Sequence, residues 1–225
     1  MPLAAFSCFL LAVFSARGQA SFQDLDFEEA NIVIIGGGSP YNPFAISAAD
    51  ALPGWTVDYG TVQQSAILYN DPNLGTTAVT LLGNGYGPPI DGNYSVLLQG
   101  GVIGNAPTSA SISQTGLIPP TAESLVFKVA ATYGGFGSLV FYVGTQSVPL
   151  TAVGTGADYT LYGGDISALA GQTEQITISA PGQSGNWEID DITFSPTAVP
   201  EPNTLALILM SGLALAARRW WTKGS

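Results

Sequence analysis

Carboxylates dominate the chemistry available to this sequence. The stretch Ser21–Pro196 carries fifteen aspartates and glutamates against one base, Lys128, a formal charge of −14. It contains no histidine, cysteine or arginine. Ser-His-Asp and Cys-His nucleophilic sites, His/Cys zinc centres and arginine clamps on phosphate therefore cannot be built from it. What remains is paired-carboxylate hydrolysis of the glycosidase kind, oxygen ligation of a hard cation, and binding without chemistry. Glu28, Glu29, Glu123, Glu174, Glu188 and the aspartates are the acids on offer, but the intervening loops are shorter than those that build a glycosidase cleft. No enzyme is expected. A Ser-Lys dyad is disfavoured, because Phe127 and Val129 flank Lys128 in an alternating strand and turn it to solvent on the other face. Gly36-Gly37-Gly38 follows an apolar run without a succeeding Lys-Ser/Thr, so it reads as a turn and not a phosphate loop.

Two groups of residues could bind. In Trp187–Phe194, a regular strand places Asp190 on one face with Ile192 and Phe194, and Asp191 on the other with Ile189. A carboxylate on an apolar face needs backbone N–H donors or a cation to offset desolvation; the alternative is solvation at a strand edge. The second group is aromatic. Tyr86 in Asn84-Gly85-Tyr86-Gly87-Pro88-Pro89, and Tyr133 with Phe136 around Gly134-Gly135, are ligand-binding candidates carried on loops, while Tyr41 is a weaker one. Trp55 and Trp187 fall in predicted strands and are expected in the core. The negative charge repels nucleic acid and anionic lipid, so no nucleic-acid partner is expected, and it could attract cations. With no cysteine after Cys8, stability must come from packing or bound metal.

The elements positioning these residues read as strands. Candidates are Asn31–Ile35, Trp55–Tyr59, Ser65–Tyr69, Ala78–Leu82, Tyr94–Gln99, Ala110–Thr115, Ser124–Ala131, Ser138–Val143, Gln146–Leu150, Asp158–Gly163, Glu174–Ala180 and Trp187–Ser195, separated by Gly, Pro, Asn and Asp clusters. They predict an all-β fold, one antiparallel β-sandwich domain over 21–196 with its first and last strands close together. Helical character is confined to Ile46–Leu52, which Ser47 could cap, and a short turn at Asp165–Ala170.

Both ends read as targeting segments. Leu3–Phe14 is an apolar run of signal-peptide length, and Gly18-Gln19-Ala20 supplies small residues for cleavage, giving a signal peptide over 1–20 and a mature chain from Ser21. No Lys or Arg precedes the run. Cys8 lies inside it, which argues against lipoprotein processing. At the other end, 197–225, Val199-Pro200-Glu201-Pro202 stays extended and accessible because its prolines neither continue a helix nor donate into a sheet. A transmembrane helix over 204–217 follows, then the basic tail 218–225, whose Arg218, Arg219 and Lys223 favour the cytoplasm. The apolar run Leu205–Ala217 spans only about 20 Å of helix against a hydrocarbon core of about 30 Å, which suits a temporary stop better than a permanent anchor.

The order of motif, apolar helix and arginines resembles the PEP-CTERM sorting signal of Gram-negative envelope proteins, a tail that also circulates under an ice-binding label. The resemblance implies exosortase as a partner, reading Val199, Pro200, Glu201, Pro202, Arg218 and Arg219. It also implies export across the inner membrane, transient anchoring there by the C-terminal helix, and a final place at the cell surface or outside the cell. Within the domain, Leu25-Asp26-Phe27-Glu28, Leu52-Pro53-Gly54-Trp55 and Trp187–Phe194 resemble the galactose-binding-like jelly roll shared by many carbohydrate-binding modules. Gly92–Gly100, Ser113–Leu117 and Tyr159–Tyr162 are similar to segments of secreted PEP-CTERM proteins with such a domain. In those modules a structural Ca²⁺ ties the first strand to the last, and the matching positions here are Glu28 and Asp190. The implied function is a non-catalytic surface or matrix protein associated with exopolysaccharide or biofilm; the alternative is a specific carbohydrate-binding surface receptor. No regular Thr-x-Thr array supports ice binding.

Overall fold

A computed structural model of the chain describes residues 20–38, 44–72, 76–85, 88–131, 137–183 and 185–199. Nearly all of the expected signal peptide, the sorting motif from Pro200 onward and the helix 204–217 lie outside these residues. Among the described residues no helix is long and apolar enough to cross a membrane.

Sixteen strands make the fold among the described residues. They are β1 (Ile34–Gly36), β2 (Ala45–Ser47), β3 (Thr56–Tyr59), β4 (Val62–Gln63), β5 (Ala66–Tyr69) and β6 (Ala78–Gly83). Next come β7 (Tyr94–Ile103), β8 (Ala106–Thr108), β9 (Ala110–Leu117), β10 (Ser124–Ala130), β11 (Val140–Val143) and β12 (Gln146–Val148). The last are β13 (Thr151–Thr155), β14 (Thr160–Asp165), β15 (Thr173–Ala180) and β16 (Gly185–Ser195). One sheet runs β1-β2-β5-β6-β7-β16-β10-β14-β13 with β8 against β7, and the other runs β12-β11-β15-β9-β3-β4.

Period-two alternation builds the core. Val79 and Leu81 of β6, Val96 and Leu98 of β7, and Leu125, Phe127 and Val129 of β10 meet Val57, Ile112, Phe141, Ile176 and Ile178 of the other sheet in one cluster. Phe127 and Phe141 touch edge-to-face across it, centroids 6.2 Å apart. Two sheets enclosing one core are the arrangement of a β-sandwich.

The departures from expectation have local causes. The β5–β6 pairing is parallel, so the sandwich is mixed and not wholly antiparallel. Strands β2, β4 and β8 have two or three residues each, too few for a period, and β13 contains Gly154 beside a register shift. The helical turn shrinks to Ala48–Ala51; Ser47 occupies its N-cap position, but its side chain makes no capping bond. β1 does not neighbour β16, since four strands separate them. What lies against β16 is the irregular segment before β1.

β16 lies in the interior of the larger sheet and carries a bulge. Its register with β10 shifts opposite Val126–Lys128, and Asp191 adopts a left-handed φ of 52°. The extra residue flips the alternation, so Trp187 and Ile189 before it, and Ile192 and Phe194 after it, all face the core. Asp190 therefore does not share a face with Ile192 and Phe194. It falls with Glu188 on the opposite face, and both are buried.

The sandwich also depends on a close backbone approach at Gly100, where β7 pairs with Gly185 of β16. A Cβ there would collide with the carbonyl oxygens of Pro181 and Ala180. Gly100→Ala is expected to destabilise the purified protein by about 1–3 kcal/mol or more, as overpacking against backbone does. Gly154→Ala meets only the Leu161 side chain, at 3.7 Å, and should leave the urea midpoint nearly unchanged. Equal midpoints for the two variants would contradict the close approach.

Candidate functional site

The segment before β1 crosses the end of the larger sheet without becoming a strand. β7 pairs with β16 only as far as Val96–Ile189, which leaves the next backbone groups of β16 in need of partners. The Ile192 N–H donates to Leu25 O at 2.9 Å, so the N-terminal segment takes the place β7 has vacated. Phe22 lies over Phe194, centroids 5.0 Å apart. Asp24 and Phe27 take left-handed φ values of 46° and 58°, a turn that buries Phe27 completely against Trp55. The Trp55 Nε1–H donates to Asp24 O at 2.9 Å.

That turn sends Glu28 to the chain preceding β7. Its Oε1 accepts the backbone N–H of Asn93 at 2.7 Å and of Tyr94 at 3.0 Å, and its Oε2 accepts Asn93 Nδ2 at 2.8 Å. Gly92, at a φ of 57°, passes so close that any Cβ would strike this carboxylate. Burial opposes the Glu28 charge, but the Asn93 and Tyr94 donors outweigh it and hold the carboxyl below its ordinary value.

Asp190 is 1% exposed. Its Oδ2 accepts the Asp91 N–H at 2.9 Å and its Oδ1 the Asp191 N–H at 2.7 Å. Burial pushes its carboxyl up to about 7, and the charge of Asp191 adds to this against those two donors and Lys128. Lys128 leaves β10 on the face opposite Phe127 and Val129, as expected, yet it is not simply solvated. Its side chain is 13% exposed, bridging Asp91 and Asp191, the latter at 2.9 Å, with Nζ 5.2 Å from the centre of the Tyr159 ring. Burial works against its charge, but the bonds to Asp91 and Asp191 hold it protonated above the ordinary lysine value.

Asp26, Glu28, Asp91, Asp190 and Asp191 line one cavity of about 180 Å³. The two acids named from the sequence, Glu28 and Asp190, thus meet at one place. Asp26, Asp91 and Asp191 complete it; the only sequence signal for them was the turn-like Asp91-Gly92-Asn93 and the Asp-Asp pair within an apolar strand. Carboxylate oxygens are the donor class a hard cation takes, and a carboxyl near neutrality can exchange a proton. Among the described residues, no group of three or more acidic side chains is placed to hold a metal ion, and the oxygens of Glu28 and Asp190 already accept N–H donors. Asp24, two residues before Asp26, is 6% exposed, with Oδ1 accepting the Glu29 N–H at 2.9 Å and Oδ2 without a partner. Burial pushes it up to about 6. Tyr41, Tyr86, Tyr133, Phe136 and the sorting residues Pro200, Glu201, Pro202, Arg218 and Arg219 lie outside the described residues; Val199 is half-buried. Trp55 sits in the core and Trp187 packs partly buried against it.

No family model and no curated protein matches the chain. Among solved structures, the secreted serine protease VesC from Vibrio cholerae is similar at a TM-score of 0.31 and 14% identity, over 57% of this chain and 26% of that one. A likeness that loose bears on neither fold nor function.

Raised carboxyls make the folded state bind more protons than the unfolded chain. For Asp24 and Asp190 stability is therefore greatest below their unfolded value near 3.8, and it is lost as pH rises through about 6 and about 7. Urea unfolding is expected to give lower stability at about pH 8 than at about pH 5, by up to about 1.4 kcal/mol per pH unit for each proton taken up. Asp190→Asn should remove the part of this slope that persists between about pH 6 and about 7. A wild-type profile that is flat or rises with pH across this window would show that neither carboxyl is raised in the fold.

Proposed function

We propose that this chain is a non-catalytic β-sandwich protein of a Gram-negative envelope, sorted by exosortase and acting at the cell surface or in the matrix in association with exopolysaccharide. The observation that carries the reading is the acidic joint. Glu28 at the start of the domain and Asp190 in the closing strand line one cavity, as the resemblance to galactose-binding-like jelly rolls requires of a domain locked end to end. The Pro-Glu-Pro tail supports the route to the surface. A specific carbohydrate-binding receptor is the second reading, favoured by the Tyr162 and Trp187 rings that line a cavity of about 160 Å³.

In this reading Ca²⁺ binds at the joint. The site supplies only oxygen, the donor class Ca²⁺ selects, and its five carboxylates face a single lysine. Glu28 and Asp190 would hold the ion, and its charge would relieve the cost of burying Asp190. Millimolar Ca²⁺ is expected to raise the melting temperature relative to EDTA, since a ligand of the folded state stabilises by about 2.7 kcal/mol at 100 times its dissociation constant. Asp190→Ala should abolish the difference. Identical melting of the wild type in both conditions would remove calcium from the account.

Processing is tested separately. Intact-mass analysis of surface material from the native host is expected to show a chain ending near Pro200–Pro202, without Leu205–Ala217. Glu201→Ala leaves hydropathy untouched, so it should insert normally and accumulate uncut. Surface-located protein retaining Leu205–Ser225 would make the tail a plain anchor.

A further inference from the structure

Among the described residues the larger sheet ends at β1, which has β2 as its one neighbour. The run Asn31-Ile32-Val33-Ile34-Ile35 leading through it carries four β-branched side chains and no charge. Val33, Ile34 and Ile35 are 38%, 56% and 55% exposed, and Phe44, just before β2, is 43% exposed. Sheet edges are ordinarily guarded by a charged residue or a proline. None stands between Asn31 and Gly38; the guard present is a register shift between Ile34 and Gly36, which confines pairing to a short stretch around Ile34.

The bonds on the paired side fix what the open side presents. The Ser47 N–H donates to Val33 O at 3.0 Å, next to the Ile34–Ile46 pair. In an antiparallel ladder this makes Ile34 and Ile46 a pair that is not hydrogen-bonded, so Ile34 turns its own N–H and C=O away from β2. Among the described residues no strand lies along that side. An open edge of this composition is a template for another strand.

We propose that this edge pairs with the same edge of a second copy of the chain, antiparallel, about a two-fold axis at Ile34. Identical strands then meet isologously: Ile34 faces its counterpart and exchanges both backbone bonds with it, while Val33 of each copy faces Ile35 of the other. Ile32 and Asn31 fall opposite Gly36 and Gly37, which have no side chain to obstruct them. Charge selects both the partner and the direction. The strand is uncharged in a domain of net charge −14 over Ser21–Pro196, so two acidic copies meet here without carboxylates in the contact. The Asn31 N–H donates to Asp50 O at 2.9 Å, which sets Asp50, together with Glu29, at the start of the strand. Antiparallel pairing lays that acidic end against the glycine end of the copy, whereas parallel pairing would lay acid on acid. A few residues of strand are a small contact beside the roughly 1,200–2,000 Å² of stable interfaces, so the association is weak and reversible.

The test is sedimentation of the purified full chain in detergent, from micromolar to millimolar concentration. The wild type is expected to pass from monomer to dimer. Ile34→Glu, which sets like charges face to face on the axis, should weaken the dimer at least about tenfold and leave circular dichroism unchanged, since Ile34 is exposed. In a Cys8→Ser background, Ile34→Cys should give a disulfide-linked dimer on mild oxidation, whereas Val62→Cys, on β4 of the other sheet and 63% exposed, should not. A wild type that stays monomeric throughout, or equal cross-linking of the two cysteine variants, would overturn the proposal. So would a dimer that Ile34→Glu leaves intact, the outcome expected if copies associate through Leu205–Ala217 instead.

Discussion

A carboxylate with almost no contact with water sits in the interior of the larger sheet, and the surrounding structure is arranged to tolerate it. Asp190 stands at the bulge of β16, the strand that pairs with both β7 and β10. Without N–H bonds, a buried charge of this kind would be excluded or neutralised. Here two backbone N–H groups meet it, one from its own bulge and one from Asp91. The bulge is thus more than a local irregularity. It returns Ile192 and Phe194 to the core, turns the Ile192 N–H toward Leu25, and lets Asp190 bind the chain leading into β7.

The same few residues close the molecule. The last strand pairs with β7 and β10 and bonds Leu25 through Ile192, and long-range pairings of this kind fold slowly. Glu28, Asp190 and Lys128 each fix a loop that would otherwise leave the end of the sheet open. Four of the five acids at the joint come from two stretches near opposite ends of the domain, with Asp91 between them. Their charges repel one another, as Asp191 does Asp190, and Lys128 relieves this by bridging Asp91 and Asp191. The proposed Ca²⁺ site lies at the same place, so in that reading stability and proposed function meet there.

Much of this was legible in the sequence. Apolar alternation is a local property, so Tyr94–Gln99, Ala110–Thr115, Ser124–Ala131 and Glu174–Ala180 marked real strands to within a few residues. The phase slip in β16 was legible too, though only as Ile189 and Ile192 standing three apart in a segment of period two; read as regular, it put Asp190 on the wrong face. Strand order was not legible. Nothing near β1 records that it pairs with β2 at the sheet edge, or that Leu25 meets Ile192. Glu28 and Asp190 were brought together by resemblance to galactose-binding-like modules, whereas Asp91 arrived through tertiary pairing that no local pattern carries. Lys128 showed its face but not its partners, because an ion pair depends on what the fold places opposite.

Asp190 is buried at an acidic joint that its N–H donors and Lys128 compensate only in part. A carbon NMR titration of the Asp190 carboxyl in metal-free protein, assigned by comparison with Asp190→Asn, measures this. The account predicts a midpoint near 7, moving downward when Ca²⁺ is added. A midpoint at the ordinary aspartate value, unmoved by the cation, would contradict it.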